Sequence, residues 1–264
     1  MKIGFIGLGN MAKAMIGGML QEGIVERKDV LGSAKTQATL ERIEEEFCIA
    51  TCKDNCQVAD VADVIVLAVK PVFLQEVIRE IRGVVTEDKL IISIAAGKSI
   101  EWLEGEFGKK IKLIRCMPNT PALVGAGCTA VCGNALVGKE EEKLCLELME
   151  SFGKAIVIPE RLMDAAGAVG GSSPAFVFLF IEAMADGAVK AGMPRKQAYE
   201  FASSAVLGSA KMVLETGIHP GELKDMVCSP GGTTIEGVAV LEEKGVRAAV
   251  IEAISACVEK SKRL

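Results

Sequence analysis

The sequence predicts an α/β Rossmann fold, a doubly wound and mostly parallel sheet, followed by an all-α C-terminal domain. Three observations predict it. Short β-branched runs alternate with stretches of helical apolar spacing as far as residue 158. One run, Val64-Ile65-Val66-Leu67-Ala68-Val69, is apolar throughout, as a strand buried on both faces of a parallel sheet should be. From Met163 onward the strand-like runs vanish, and Ala, Glu, Lys, Leu and Met recur at helical spacing.

Taken in order, residues 2–6 read as a strand and residues 10–22 as a helix. Residues 29–33 form a second strand, and residues 36–47 a charged amphipathic helix. The buried run at 64–69 follows, then strands at 90–94, 111–115, 129–131 and 155–158. Such alternation implies right-handed βαβ crossovers. The character changes around Pro159, which divides the chain into an α/β domain, residues 1–160, and an all-helical domain, residues 161–264. Ser173-Pro174 reads as a helix start with Pro in the first turn. Gly192-Met193-Pro194 separates that helix from one running to about Thr216, and a last helix covers residues 234–260 with a break at Gly245. Residues 175–181 are apolar nearly all round, which a lone surface helix would not be, so a homo-oligomer is expected.

Composition narrows the function. The 264 residues carry 30 Lys+Arg against 35 Asp+Glu, a formal net charge of −5, which speaks against nucleic-acid and polybasic membrane roles. The apolar run at 175–181 stops at Glu182, short of a membrane span. Met1-Lys2-Ile3-Gly4-Phe5 enters a strand at once, without the pattern of a leader, and the 9 cysteines read as reduced thiols, so a cytoplasmic protein is expected. With a single histidine, His219, multi-histidine metal cages and an HExxH zinc site are excluded, and no CxxC is present, so no metal is expected. Its setting, His219-Pro220-Gly221, reads as an inter-helix turn.

Gly7-Leu8-Gly9-Asn10-Met11-Ala12 is a GxGxxA loop that directly follows a strand and opens a helix, the context a dinucleotide fingerprint requires. Gly7 allows the tight turn, Gly9 lets the backbone approach a pyrophosphate, and Ala12 permits close helix–sheet packing. At the end of the second strand an NAD site would carry an acid for the ribose 2′-hydroxyl. This chain has Ser33-Ala34-Lys35-Thr36, hydroxyls and a cation that suit the 2′-phosphate of NADP(H), with NAD(H) a possible second cofactor. Three further strand ends, Val69-Lys70-Pro71, Ser93-Ile94-Ala95-Ala96-Gly97 and Arg115-Cys116-Met117-Pro118-Asn119, would line the same crevice. Asn119 there offers both a donor and an acceptor. Ser229-Pro230-Gly231-Gly232-Thr233-Thr234 precedes the final helix and reads as an anion cradle, its threonines able to cap the helix and to offer hydroxyls.

These segments together resemble pyrroline-5-carboxylate reductases along nearly the whole chain. IGFIGLGNM, AVKP, SIAAG, RCMPNTP, GSSPAF and HPGELKDMVCSPGGTTIEGVAVLE carry the resemblance, and the last is specific to that family. The resemblance implies reduction of 1-pyrroline-5-carboxylate to L-proline with NAD(P)H, the last step of proline biosynthesis. It also implies an intertwined homodimer, often built into larger rings. It places the cofactor on Phe5, Ile6, Gly7, Leu8, Gly9, Asn10 and Met11, on Ser33, Lys35 and Asn55 near the adenosine ribose, and on Ala68, Val69, Lys70, Ala95, Ala96 and Asn119. It places the substrate on Met226, Val227, Gly232, Thr233 and Thr234, with the Thr234 hydroxyl facing the substrate nitrogen as the catalytic group. Met226 stands where some relatives carry a polar residue, and Gly217 where some carry an acid. The competing β-hydroxyacid dehydrogenases resemble GxxGxGxxxK after the boundary, but Phe176 occupies the position of their acid–base lysine. The other alternative is a non-catalytic NADP-binding protein.

Overall fold

In the sheet, successive side chains go to opposite faces, and the computed structural model sorts them into two apolar layers. The structure describes residues 1–263. Strands β1 (Ile3–Ile6), β2 (Val30–Ser33), β3 (Ala50–Cys52), β4 (Val64–Leu67), β5 (Leu90–Ser93), β6 (Lys112–Met117), β7 (Gly127–Gly133) and β8 (Gly153–Val157) form one sheet in the order β3-β2-β1-β4-β5-β6-β7-β8. Strands β1 to β6 pair in parallel, whereas β7 runs antiparallel to β6 and β8 parallel to β7.

Helices α1 (Asn10–Gln21), α2 (Gln37–Phe47), α3 (Asn55–Val61), α4 (Pro71–Ile81), α5 (Ile100–Phe107) and α6 (Lys139–Glu150) cover the sheet. Val64, Val66, Leu90, Ile92, Ile114 and Cys116 pack with α1, α2 and α6, while Ile65, Leu67, Ile91 and Leu113 pack with α3, α4 and α5. A one-residue slip in β4 would exchange the two sets, so this alternation pins the register and keeps the strand ends level. Caps fix where the helices begin. The Asp54 carboxylate accepts from the Cys56 and Gln57 N–H groups at α3, and the Ser99 hydroxyl accepts from the Trp102 N–H at α5. Buried Lys89 donates to the Asp60 and Ala62 carbonyls at the far end of α3, which gives it a structural occupation.

Beyond β8 the chain is helical. It comprises α7 (Met163–Ala166), a π-helical turn over Gly167–Ser172, α8 (Ser173–Lys190), α9 (Arg195–Thr216), α10 (Pro220–Val227), α11 (Thr233–Glu243) and α12 (Val246–Ser261). Two compact units result: Met1–Gly171 with the segment from Cys257 onward, and Ser172–Ala256. Within the first, the Ser261 hydroxyl donates to Asp164, tying the end of α12 to α7.

Two expectations hold and two change. Ser173-Pro174 opens α8 with Pro in its first turn, as expected, and the chain arrives there through the π-turn. Proline cannot donate to the carbonyl four residues back, and a wide turn is one way for a helix to pass it. The apolar run at 175–181 belongs to a helical stretch, Glu160–Lys190, of 31 residues that by length and composition alone is apolar enough to cross a membrane. Gly and Ala lengthen it without interrupting its hydropathy. Strand β3 was not foreseen, since Ala50-Thr51-Cys52 is a short edge strand with no continuous apolar run. His219 lies in the inter-helix turn as expected, where its Nδ1 accepts the Gly221 N–H and caps α10.

Candidate active site

The loop between β1 and α1 is shaped by two glycines that are needed for different reasons. Gly7 has φ +97°, its N–H donates to the Ser33 carbonyl, and a Cβ there would sit 2.7 Å from the Ala68 carbonyl oxygen. Gly9 is the N-cap of α1 with an ordinary φ of −80°, and a Cβ there would meet nothing within 4 Å. Neither conformation nor internal packing requires glycine at 9. What its missing Cβ leaves open is the outer approach to the backbone, beside the unsatisfied N–H groups of a helix with no acid in its first turn and no side-chain cap.

Phe5, Ile6 and Leu8 are buried, so what they can offer a ligand is backbone, and Met11 packs against the core. Gly9 and Asn10 are exposed. Ala68 extends β4, its N–H donating to the Ile6 carbonyl, and Val69 leads to exposed Lys70, the residue before Pro71 opens α4. Ala95 is buried beyond β5 and Ala96 half-buried. Thus Gly7, Gly9, Ser33, Ala68, Lys70, Ala95 and Ala96 come together at the carboxyl ends of adjacent parallel strands, where open α/β sheets bind ligands.

At the end of β2 the Ser33 side chain is enclosed. Its hydroxyl donates to Asn55 Oδ1 (2.7 Å), and Asn55 Nδ2 donates to Glu80 Oε2 (2.8 Å). Lys35 lies 4.7 Å over the Phe73 ring and 3.9 Å from Glu76. Phe73, Glu76 and Glu80 follow helical i, i+3, i+7 spacing, so one face of α4 meets this corner. Glu80 and Phe73 escaped the sequence reading. Their spacing was visible, but only the tertiary arrangement brings α4 to Asn55. Burial foremost, and then the Glu80 and Asp54 carboxylates, push the Cys56 thiol up. Asp54, Cys56 and Glu80 place their ligand atoms within 4.8 Å of one another, but the first caps α3, the second donates to the Glu80 carbonyl and the third holds Asn55. Cys116 and Cys145 touch at 3.6 Å in the core, where their contact and burial hold the Cys116 thiol well above its ordinary value, protonated and unreactive.

Asn119 uses both ends of its buried amide. Nδ2 donates to the Gly170 carbonyl (2.9 Å), and Oδ1 accepts the Cys128 N–H (2.8 Å). Gly170 is the residue whose carbonyl Pro174 cannot serve in an α-helix, so Asn119 meets an acceptor of the π-turn. Arg115, within β6, pairs with Glu160 (3.0 Å), whose Oε1 also accepts the Ile100 N–H.

The residues expected to hold the substrate meet where α10 turns into α11. Met226 and Val227 end α10 and are exposed, and Thr233 and Thr234 open α11. Gly232, rather than a threonine, is the N-cap, so neither Thr233 nor Thr234 caps the helix. The Gly232 N–H is already given to the Ser229 carbonyl (3.0 Å). That removes it from the expected anion cradle and leaves the Thr233 and Thr234 N–H groups at the start of α11.

Comparison with known proteins covers the whole chain. Residues 160–264 match the family described as pyrroline-5-carboxylate reductase dimerisation, and residues 2–97 match NADP oxidoreductase, coenzyme F420-dependent. A pyrroline-5-carboxylate reductase of Escherichia coli (strain K12) is 53% identical over 263 residues, spanning 100% of this chain and 98% of that one. Among solved structures, a pyrroline-5-carboxylate reductase from Coxiella burnetii superposes with a TM-score of 0.93 at 35% identity, covering 99% of this chain and 97% of the other. A Plasmodium falciparum pyrroline carboxylate reductase with NADP bound gives 0.90 at 34% identity, with 99% and 97% covered.

Proposed function

Because the chain belongs to the pyrroline-5-carboxylate reductase family, we propose that it reduces 1-pyrroline-5-carboxylate to L-proline, using NADP(H) in preference to NAD(H). It is an oxidoreductase of proline biosynthesis with a nicotinamide cofactor. The observation that carries the geometric side of this reading is Gly9, whose missing Cβ serves nothing inside the protein and leaves a helix N-terminus open to a pyrophosphate. Residues 1–160 would hold the cofactor and residues 161–264 the substrate and the partner subunit.

When bound, the cofactor supplies hydride to C5 of the cyclic imine. A protonated imine carbon is already electrophilic, so the chain's task is to hold and align. The Thr233 and Thr234 N–H groups bind the substrate carboxylate at the start of α11, and the Thr234 hydroxyl hydrogen-bonds the ring nitrogen. Met226 and Val227 supply apolar contact to the ring. Gly7 to Met11, Ala68 to Lys70 and Ala95–Ala96 seat the cofactor, while Lys35 and Asn55 face its adenosine ribose. Lys35 and the absence of an acid on β2 favour NADP(H). Asn119 acts one step back, by bracing the loop after β6.

The dimerisation segment supports a homodimer, the family resemblance extends that to assembly of dimers into a ring, and the 9 free cysteines support a cytoplasmic setting. Oxidation of NADPH, followed by its absorbance with 1-pyrroline-5-carboxylate as the acceptor, tests the activity. Turnover with a lower KM for NADPH than for NADH is expected. Cofactor binding without turnover would instead leave a non-catalytic NADP-binding protein.

A further inference from the structure

We propose that Glu80 tunes the balance between the two nicotinamide cofactors, its carboxylate supplying from α4 the acid that β2 lacks. The inference rests on the dinucleotide reading above. In this fold the ribose of the adenosine half lies at the end of the second strand, where an acid accepts the 2′-hydroxyl of NAD and repels the 2′-phosphate of NADP.

Here the strand ends in buried Ser33, and a chain of hydrogen bonds leads outward from it: Ser33 Oγ to Asn55 Oδ1, then Asn55 Nδ2 to Glu80 Oε2. The chain has only one polarity. The Glu80 carboxylate can only accept, so turning the Asn55 amide round would set its oxygen against Glu80 and lose that bond, while the Ser33 hydroxyl adapts to whichever end faces it. Asn55 is therefore presented with one N–H left over, and Glu80, exposed, presents its remaining lone pairs beside it. Among the described residues no cation pairs with Glu80. The nearby cation, Lys35, lies instead over Phe73 and near Glu76. A ligand at this corner thus meets two opposed fields. Lys35 attracts a 2′-phosphate, whereas Glu80 opposes it and offers an acceptor to a free 2′-hydroxyl. The chain becomes a reductase whose preference for NADP(H) is moderated rather than absolute. Glu80 acts on the ribose in part through Asn55, which makes it a positioning residue with a charge.

The full-length protein and its E80Q and E80D variants would be titrated by calorimetry with 2′,5′-ADP and with 5′-ADP, which differ only in the 2′-phosphate. Gln can still accept the Asn55 N–H, so E80Q removes charge while keeping the bond. Tighter binding of 2′,5′-ADP to E80Q, by about fivefold or more, is expected, with 5′-ADP unchanged or weaker and E80D close to wild type. The gain should shrink as salt is raised. In turnover, the ratio of kcat/KM for NADPH to that for NADH should rise in E80Q through KM, with kcat unchanged. Equal shifts for both nucleotides, or no shift, would overturn the role of Glu80 while leaving the dinucleotide reading intact. Failure of the wild-type protein to bind either nucleotide, together with no NADPH oxidation, would overturn both.

Discussion

Gly7 and Gly9 look equivalent in the sequence and are opposites in the structure. A Cβ at Gly7 would press on the Ala68 carbonyl in a backbone region L residues avoid, whereas at Gly9 it would stand in open space. Gly7→Ala should therefore cost stability on the order of 1–3 kcal/mol, read as a fall in the denaturation midpoint. Gly9→Val should leave that midpoint nearly unchanged and still lose dinucleotide affinity by tenfold or more, about 1.4 kcal/mol; retained affinity would remove the pyrophosphate from this loop. The GxGxxA spacing made both glycines legible, but their division of labour needed Ala68 from another strand. Thr234 makes the second case. Gly232 occupies the cap, so the Thr234 hydroxyl is not needed to start α11. Thr234→Val should lower kcat/KM for the imine about a hundredfold, the size of a lost transition-state hydrogen bond, with the Kd for NADPH within about twofold. Unchanged kcat/KM would take Thr234 out of the mechanism.

Whole elements were most legible where burial is two-sided. β4 announces itself because every one of its residues faces an apolar layer, whereas β3, an exposed edge strand of three residues, carries no such pattern. The entry to α8 is legible in Ser173-Pro174, whereas the π-turn ahead of it carries no such signal and shows itself only through tertiary contacts such as that of Asn119 to Gly170. That contact predicts a graded effect. Asn119→Ala strands the Cys128 N–H and should cost about 1–3 kcal/mol. Asn119→Asp can still accept from Cys128 but turns an oxygen toward the Gly170 carbonyl, so it should be no better than alanine by urea denaturation. Helix α6 gives a pH-dependent case. Its Glu141 carboxylate accepts the Gly138 N–H and pairs with Lys112 at 2.5 Å, and Lys112 holds it below the usual glutamate value. A lowered folded pKa contributes stability that is complete above the unfolded value, about 4.3, and is lost as the pH falls through the folded value. The acid limb of a stability–pH curve should be shallower in Glu141→Gln than in the wild type.

At the scale of the molecule, the two units bury apolar surface very unequally. The sheet unit has an extensive apolar layer on each face, whereas the buried residues clustered between α8 and α9 are three alanines, Ala185, Ala198 and Ala202. Large side chains of the same helices stand in solvent, with Phe178 62%, Leu179 66%, Phe201 67% and Leu207 69% exposed. A helical unit with so small a core and so much exposed apolar surface is stable only when something covers that surface. These residues fall inside the segment matched to the dimerisation family, which makes a second copy of the chain the cover and explains why a stretch apolar enough for a membrane lies on the outside. Light scattering at micromolar concentration should accordingly return at least twice the chain mass of 27.8 kDa. Because folding of the helical unit is then coupled to association, its melting temperature should rise with protein concentration, which an intramolecular core would not produce. Charges placed in the covered surface, Leu179→Glu with Phe201→Glu, should lower the mass and the melting temperature together. A monodisperse monomer with a concentration-independent melt would show that the exposed apolar face of α8 and α9 is tolerated by the single chain.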